Sequence, residues 1–199
     1  QKTFRRLEID RDYFDANGNT TSSLKDISYF RPTDKNTNIK AGMDFFASPK
    51  TTWGIVYTGD ISRSHDSSPV YSLLYGGNGG LDSTINTLNT SANKFNSNGV
   101  NLNYTHKFDS TGRQLNFDLD YIHDVSGGNQ LFVNNTFLPN GDLTNSTSLS
   151  DNLPSTINIY SAKADYSHPL KGKAKLEAGA KSSYVNTDAA ANYFDNAGA

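Results

Sequence analysis

The chain has 199 residues, a net charge of −2, no cysteine and only 19% charged residues. This balance offers no basic stripe for nucleic acid, and the missing cysteines exclude a disulfide framework, a thiolate metal site and a cysteine nucleophile. Aromatic residues (11 Tyr and 11 Phe) recur in blocks among Ser, Thr and Asn, which favours β-strands. The sequence contains no apolar run of the roughly 18 residues that a transmembrane helix needs.

Alternation with a period of two marks the clearest element of the chain. From Val100 to Phe108 every second residue is apolar, aromatic or His, and the same pattern resumes from Leu115 to Tyr121 after a turn at 109–113. Such alternation predicts strands with one apolar and one polar face. The segment is therefore interpreted as an amphipathic β-hairpin.

Two further hairpins repeat this unit. One has its turn near 47–52, between alternating segments at 39–45 and 53–61, and the other has its turn near 168–172. In the last hairpin, we expect Tyr166 to lie opposite Ala174, because opposed charges of opposite sign stabilise a strand pair. This register also pairs Asp165 with Lys175, and Lys163 with Glu177.

The segments between the hairpins are polar and long. Residues 63–95 and 126–155 are rich in Gly, Asn, Ser and Thr and are predicted to be long loops. Short turns that alternate with long loops, and strands of about 9 to 12 residues, are typical of an outer-membrane barrel. The predicted fold is all-β, an antiparallel meander of amphipathic hairpins. The alternative is a secreted or cell-surface β-sandwich that binds glycans or proteins, with its apolar face packed on a second sheet.

Several segments together resemble a known family. The stretch 162–170, AKADYSHPL, followed by 175–181, KLEAGAK, resembles the D-Y-x-x-P-L … K-L-E-x-G-x-K segment of the outer-membrane β-barrel family in TonB-dependent-receptor-like proteins of Bacteroidota. The hairpin at 101–124 and the segment 42–54 resemble the strands that precede it there. The resemblance spans most of residues 35–195.

The resemblance implies a function in transport. It implies a large barrel with an N-terminal plug, located in the outer membrane. Such a barrel either imports an unknown ligand with energy delivered by a TonB complex or has a related import or surface role. The chain would contact the lipid bilayer with its apolar faces. No enzyme activity, catalytic residue, cofactor or metal site is expected.

The number of strands bears on how much of such a barrel is present. Residues 1–199 are interpreted as a single partial barrel domain with about six or seven spanning strands. This number is smaller than the number of strands in the smallest bacterial barrel. We therefore expect the chain to be a segment of a longer protein. Its unpaired sheet edges predict that the isolated segment either self-associates or folds incompletely.

Aromatic residues in the two predicted loops are the candidate ligand contacts, because aromatic side chains supply rigid contact area. They are Tyr71, Tyr75, Phe132 and Phe137.

Other candidate sites have simpler interpretations. Asp15, Asn17, Asn19 and Asp26 are spaced like part of a calcium loop, but the required Gly and the closing Glu are misplaced or missing, so residues 16–23 are interpreted as a polar turn. The Gly-rich stretch 76–80 is interpreted as a flexible loop tip. The four histidines are not spaced as a zinc pair, and Asp118 and Asp120 are interpreted as charges that line a lumen.

Overall fold

The computed structural model describes residues 4–172 and 174–195, and every strand in these ranges belongs to one antiparallel sheet. The strands are β1 Arg5–Phe14, β2 Thr20–Phe30, β3 Thr33–Ser48, β4 Thr51–Gly76, β5 Leu81–Lys107, β6 Gln114–Phe137, β7 Leu143–Asn152, β8 Ser155–Pro169, β9 Lys175–Ala189 and β10 Asn192–Asp195. The fold is therefore the all-β antiparallel sheet that the sequence predicts.

At three places a short gap separates two consecutive strands that run on in the same direction along the same neighbouring path. β2 and β3 both pair with β4, and the register is the same on either side of the gap, since Ser22 lies opposite Gly76 and Thr33 lies opposite His65. The gap falls at Pro32, which has no N–H to donate to the ladder. β2 and β3 thus form one continuous path along β4.

A gap of the same kind occurs twice more, in the C-terminal part of the chain. β7 and β8 share one register along β6, and across their gap the Leu153 N–H donates to the Gly128 carbonyl at 2.8 Å. β9 and β10 share one register along β8 and β7, bridged by the Ala190 N–H to the Pro154 carbonyl at 3.0 Å. With these three joins, the ten strands run as seven paths in an up-and-down meander.

Tight turns connect the paths at both ends of the sheet. At one end the turns lie between β3 and β4, between β5 and β6, and between β8 and β9, within or beside the ranges that the sequence predicts. At the other end they span Asp15–Asn19, Gly76–Gly80 and Leu138–Asp142, each closed by a backbone hydrogen bond of 2.9 Å. Glycines with positive φ (Gly18, Gly79, Gly141) permit these turns.

The prediction of long loops at 63–95 and 126–155 is wrong. Both segments continue the strands of the sheet, and only short turns remain at their tips. Polar residues predominate on both of their faces and the apolar ones do not alternate regularly, so the pattern that reveals an amphipathic strand is missing. The ladder satisfies their backbone groups, and cross-strand polar pairs add to it, such as Thr87 Oγ1 donating to Asn134 Oδ1 at 2.7 Å. Residues 76–80 are likewise a hydrogen-bonded hairpin turn.

The sheet has one layer. Among the described residues no hydrophobic side chain is buried, and the buried polar side chains are Ser28 and Ser68. The alternative of a β-sandwich is therefore wrong, because no second sheet covers the apolar face. The described ranges contain no helix of a length and apolarity that would cross a membrane.

The predicted register of the last hairpin is also wrong. Tyr166 lies opposite Ala178 rather than Ala174, so that Lys163 faces Lys181 and Asp165 faces Gly179. The cause is the turn, because β8 continues through Pro169 and the Leu170 N–H donates to the Ala174 carbonyl at 2.9 Å. Gly172, with φ of +79°, then lies at the centre of the turn. A shift by an even number of residues keeps each side chain on its predicted face.

Paired cysteines test this register, and the chain has no cysteine of its own. The double variant Ala164→Cys/Ala180→Cys joins residues that lie opposite each other, so a disulfide is expected on oxidation. The control Ala164→Cys/Leu176→Cys represents the register predicted from charge. It should remain reduced, since a four-residue offset separates the Cα atoms by roughly 13 Å, beyond disulfide reach. Mass spectrometry after mild oxidation distinguishes the two, and cross-linking of the control alone would contradict the structure.

Candidate functional site: apolar belt and polar inner face

One face of the sheet carries a band of exposed apolar side chains near the end with the turns that follow β3, β5 and β8. We call it the apolar belt and the face that carries it the outer face. Its rows follow from the pairing of β3, β4, β5, β6, β8 and β9. The rows are Ala41–Tyr57–Val100–Tyr121–Tyr160–Tyr184, Met43–Ile55–Leu102–Leu119–Ala162–Ser182, Phe45–Trp53–Tyr104–Phe117–Ala164–Ala180 and Thr51–His106–Leu115–Tyr166–Ala178. The three separately predicted apolar faces thus form one surface.

The row from Ala41 to Tyr184 forms the border of the belt that lies farther from these turns. It contains four tyrosines and is called the tyrosine row. The Tyr121 and Tyr160 rings stack at 5.0 Å, and Tyr184 continues the line at 6.2 Å. The hydroxyl groups point away from the belt to the next row, where Tyr57 donates to Asn98 at 2.7 Å and Tyr121 to Asn158 at 3.1 Å. This arrangement, with an apolar ring and a hydrogen-bonded hydroxyl, suits a boundary between hydrocarbon and water.

A second aromatic line marks the opposite boundary of the belt. Neighbouring rings lie 4.5 to 6.4 Å apart between their centroids. The line runs Trp53, Tyr104, His106, Phe108, Tyr166 and His168. Thr51 Oγ1 lies 2.8 Å from His106 Nδ1, so this ring has a polar partner at the border of the belt.

The distance between the two aromatic lines fits a membrane. Along β8 the belt runs from Tyr160 to His168. At a rise of about 3.3 Å per residue this is roughly 26 Å along the strand, or roughly 20 Å along the normal for a tilt of about 40°. The apolar band of an outer-membrane barrel is about 25 Å tall.

The belt contains a shallow groove of about 630 Å³ just below the tyrosine row. Leu102 and Leu119 form one side of the groove, and Tyr160 and Tyr184 lie beside it. Ala162 also lines the groove, between Leu119 and Ser182 in the same row. Its dimensions and apolar lining are compatible with an acyl chain.

The opposite face, here called the inner face, is polar at the same height. A row across the sheet reads Asp44–Gly54–Asn103–Asp118–Lys163–Lys181. Asp118 and Asp120 therefore lie where the sequence places them, on the polar face of β6. Two opposed lysines are unfavourable, but Lys163 lies next to Asp118 and binds Asp165 at 2.5 Å.

Polar side chains on the inner face are linked in a chain across strands. Asn103 Nδ2 donates to Asn101 Oδ1 at 3.3 Å, and Asn101 Nδ2 donates to Asp120 Oδ1 at 2.7 Å. Gly54 leaves the space that the side chains of Asp44 and Asn103 occupy, since a Cβ there would lie 2.6 Å from Asp44 Oδ1. This face is suited to water or polar solutes and not to a packed core.

The candidate contacts Tyr71, Tyr75, Phe132 and Phe137 lie in strands and not in loops. The structure does not bring them together. Tyr71 lies on the outer face, where its ring is 6.2 Å from Tyr29, whereas Phe132 lies on the inner face. Whether any of the four contacts a ligand stays a prediction.

The turn near Asp15 has the geometry of a hairpin turn. Asp15 Oδ1 accepts the backbone N–H groups of Asn17 and Asn19, each at 2.8 Å. The hydrogen bond from Asn19 is the main reason that the pKa of the Asp15 carboxyl is lowered. The turn is shorter than the predicted 16–23, because β2 already begins at Thr20. In the described part of the chain, no three His or acidic side chains are grouped as metal ligands.

Comparisons with known proteins agree with this geometry. Residues 106–199 match the model of the outer membrane protein beta-barrel family. The match contains the 162–181 segment and begins in β5, so it does not extend over the first part of the resemblance, at 35–105. A search of curated proteins finds no match.

The one-layer amphipathic sheet has the form of a segment of barrel wall, and residues 106–199 are similar to outer membrane β-barrel proteins. Both findings agree with a location in the outer membrane. The belt is the part of the wall that lies at membrane height, and the inner face is the part that lines the barrel.

A charge placed in the belt tests this assignment. Leu119→Arg puts a cation near the middle of the belt and is expected to lower the free energy of unfolding by about 2–4 kcal/mol in lipid vesicles. The matched control Ser161→Arg places the same side chain on the inner face, opposite Asp120, and should have a much smaller effect. Urea titration of the folded protein in vesicles measures both. Equal effects of the two substitutions would contradict the assignment of the faces.

Proposed function

We propose that the chain forms part of the wall of a TonB-dependent-receptor-like transporter that imports a solute across the outer membrane. The proposal assigns it a structural and transport role and no catalysis. The observation that carries it is the polar, charged inner face at membrane height, with Asp118, Asp120, Lys163 and Asp165 on neighbouring strands. Small barrels fill their interior with side chains, whereas large ones enclose water or a plug.

The other parts of the proposal follow from the belt and from the resemblance. The belt contacts lipid, because no protein group covers it among the described residues. The participation of TonB, a plug domain and a bacteroidotal source are supported by the resemblance of the 162–181 segment. The outer hairpins reach the solute first, and Tyr71, Tyr75, Phe132 and Phe137 are the aromatic groups they offer.

Uptake by whole cells tests the import function. Cells that lack the gene are compared with wild-type cells and with cells that lack TonB, and the depletion of iron chelates, cobalamin and oligosaccharides from the medium is measured. We expect at least one solute to be depleted by wild-type cells only. If the gene deletion changes the uptake of no solute, the import function is wrong, and if TonB is dispensable, its energetic role is wrong.

The two outer edges of the sheet are open to further strands. Among the described strands, β3 pairs only with β4, and β9 pairs only with β8, which leaves the backbone groups of two outer edges unpaired at membrane height. We propose that further strands pair with these edges in the intact barrel. An isolated chain then joins other copies through them, because exposed edges template strand addition.

Sedimentation of the isolated chain in detergent checks the edge behaviour. We expect dimers and larger species that grow with concentration. The variant Asp44→Pro, in the part of the β3 edge that lies at membrane height, should reduce this growth, since proline removes a backbone donor that faces away from β4 and blocks pairing. A clean monomer at high concentration would refute self-association.

A further inference from the structure

Four Asn-Gly pairs occur in the chain. In such a pair the backbone nitrogen of the glycine can attack Cγ of the asparagine side chain, because glycine has no Cβ to obstruct the approach. By this criterion alone the four pairs are equivalent, but their surroundings in the structure differ. The pairs are Asn17–Gly18, Asn78–Gly79, Asn98–Gly99 and Asn140–Gly141.

Three of the pairs occupy the same place in the hairpin turns at the end of the sheet that lies farther from the belt. In each turn the glycine N–H donates to the carbonyl of the residue three positions earlier, at 2.9 to 3.1 Å. Each glycine has a positive φ, between +76° and +93°, and each asparagine is exposed. Because the three backbones are alike, a difference in reactivity must come from the asparagine side chains.

Two of these side chains are held by hydrogen bonds within their turns. Asn140 Oδ1 accepts the Asp142 N–H at 3.0 Å, and Asn140 Nδ2 donates to Asp142 Oδ2 at 2.7 Å. Asn78 Oδ1 accepts the Gly80 N–H at 2.9 Å. The glycine nitrogen must approach the flat face of the amide, and an amide held by its edge atoms can turn that face only after these bonds break. Each hydrogen bond therefore lowers the population of the reactive conformer.

The side chain of Asn17 has no such hydrogen bond. In this turn the carboxylate of Asp15 is the acceptor instead, since Asp15 Oδ1 accepts the N–H groups of Asn17 and Asn19, each at 2.8 Å. Among the described residues, none forms a hydrogen bond with the Asn17 amide. A Cβ at Gly18 would meet no atom within 4 Å, so the space around the attacking nitrogen is open. The Asn17 amide is thus free to rotate.

The fourth pair lies inside the sheet. Asn98 on β5 is paired with Gly59 on one side and with His123 on the other. Its Oδ1 accepts the Tyr57 hydroxyl at 2.7 Å. Because ladders on both sides fix the backbone, the glycine nitrogen cannot reach the amide unless the sheet opens locally.

We propose that Asn17 is a site of spontaneous deamidation and that the fold protects the other three pairs. The Gly18 nitrogen bonds to Asn17 Cγ, the Cγ–Nδ2 bond breaks, and the amide nitrogen leaves as ammonia with the proton of the Gly18 N–H. Water then opens the resulting succinimide and produces aspartate or isoaspartate. Either product adds a negative charge beside Asp15, and isoaspartate also routes the backbone through the former side chain.

Peptide mass spectrometry of the full-length protein in detergent tests this order. The folded protein is incubated at mildly alkaline pH, and the conversion of each asparagine is followed by its gain in mass. Asn17 should react about tenfold faster than Asn140, as the loss of two ordinary hydrogen bonds predicts, and Asn78 should lie between them. Asn98 should remain unmodified.

Unfolding provides the matched control for the sequence itself. In concentrated urea the hydrogen bonds are lost, and Asn17, Asn78 and Asn140 should react at similar rates. The same order of rates in urea, or equal rates at Asn17 and Asn140 in the folded protein, would overturn the proposal.

A pair of variants isolates the hydrogen bond to the side chain. Asp142→Ala removes one of the two bonds to Asn140 and should raise the rate there about threefold in the folded protein, without changing the rate at Asn17. Asp142→Asn keeps an acceptor oxygen and should leave Asn140 slow. No effect of Asp142→Ala would also contradict the proposal. If this variant does not fold, as judged by heat-modifiable migration in a gel, the comparison of folded and unfolded wild-type protein decides alone.

Discussion

The structure depends on an apolar face that the sheet itself leaves uncovered. The side chains on this face must therefore be buried by something outside the sheet. A single sheet has two faces, and in most folds a second layer covers the apolar one. Here no described hydrophobic residue is buried, although Trp53, Leu119, Tyr160 and many others share one face. Hydrocarbon is the solvent in which such a face is stable, and in hydrocarbon every backbone group must be paired within the sheet. The long unbroken ladders and the tight turns satisfy this requirement.

The same constraint explains where the sequence is amphipathic and where it is not. At membrane height, side chains on one face meet lipid and side chains on the other meet the lumen, so the pattern alternates. Beyond the tyrosine row, polar residues predominate on both sides of β4, β5 and β6, while the pairing of these strands continues. The boundary is visible in the side chains, where tyrosine hydroxyls bond to an asparagine row.

The functional surfaces are consequences of cross-strand rows. Asp118, Lys163 and Asp165 form a compensated cluster on the inner face because β6 and β8 pair in one register. Lys35, Arg63 and Lys94 form an uncompensated row on the outer face for the same reason. The first cluster combines charges of both signs, whereas the second row contains positive charges only.

The sequence by itself determined the strands at membrane height and their faces. Residues 100–108 and 115–121 reveal both, because alternation between lipid and water leaves a period of two. It did not reveal the polar strands within 63–95 and 126–155, since a strand with water on both sides has no such period. Nor did it fix the register of Lys163, because turn geometry at Gly172 outweighed the pairing of exposed charges, which contributes little. Only the tertiary structure decided which residues of different strands lie side by side, since a row across a sheet joins positions that are distant in the chain.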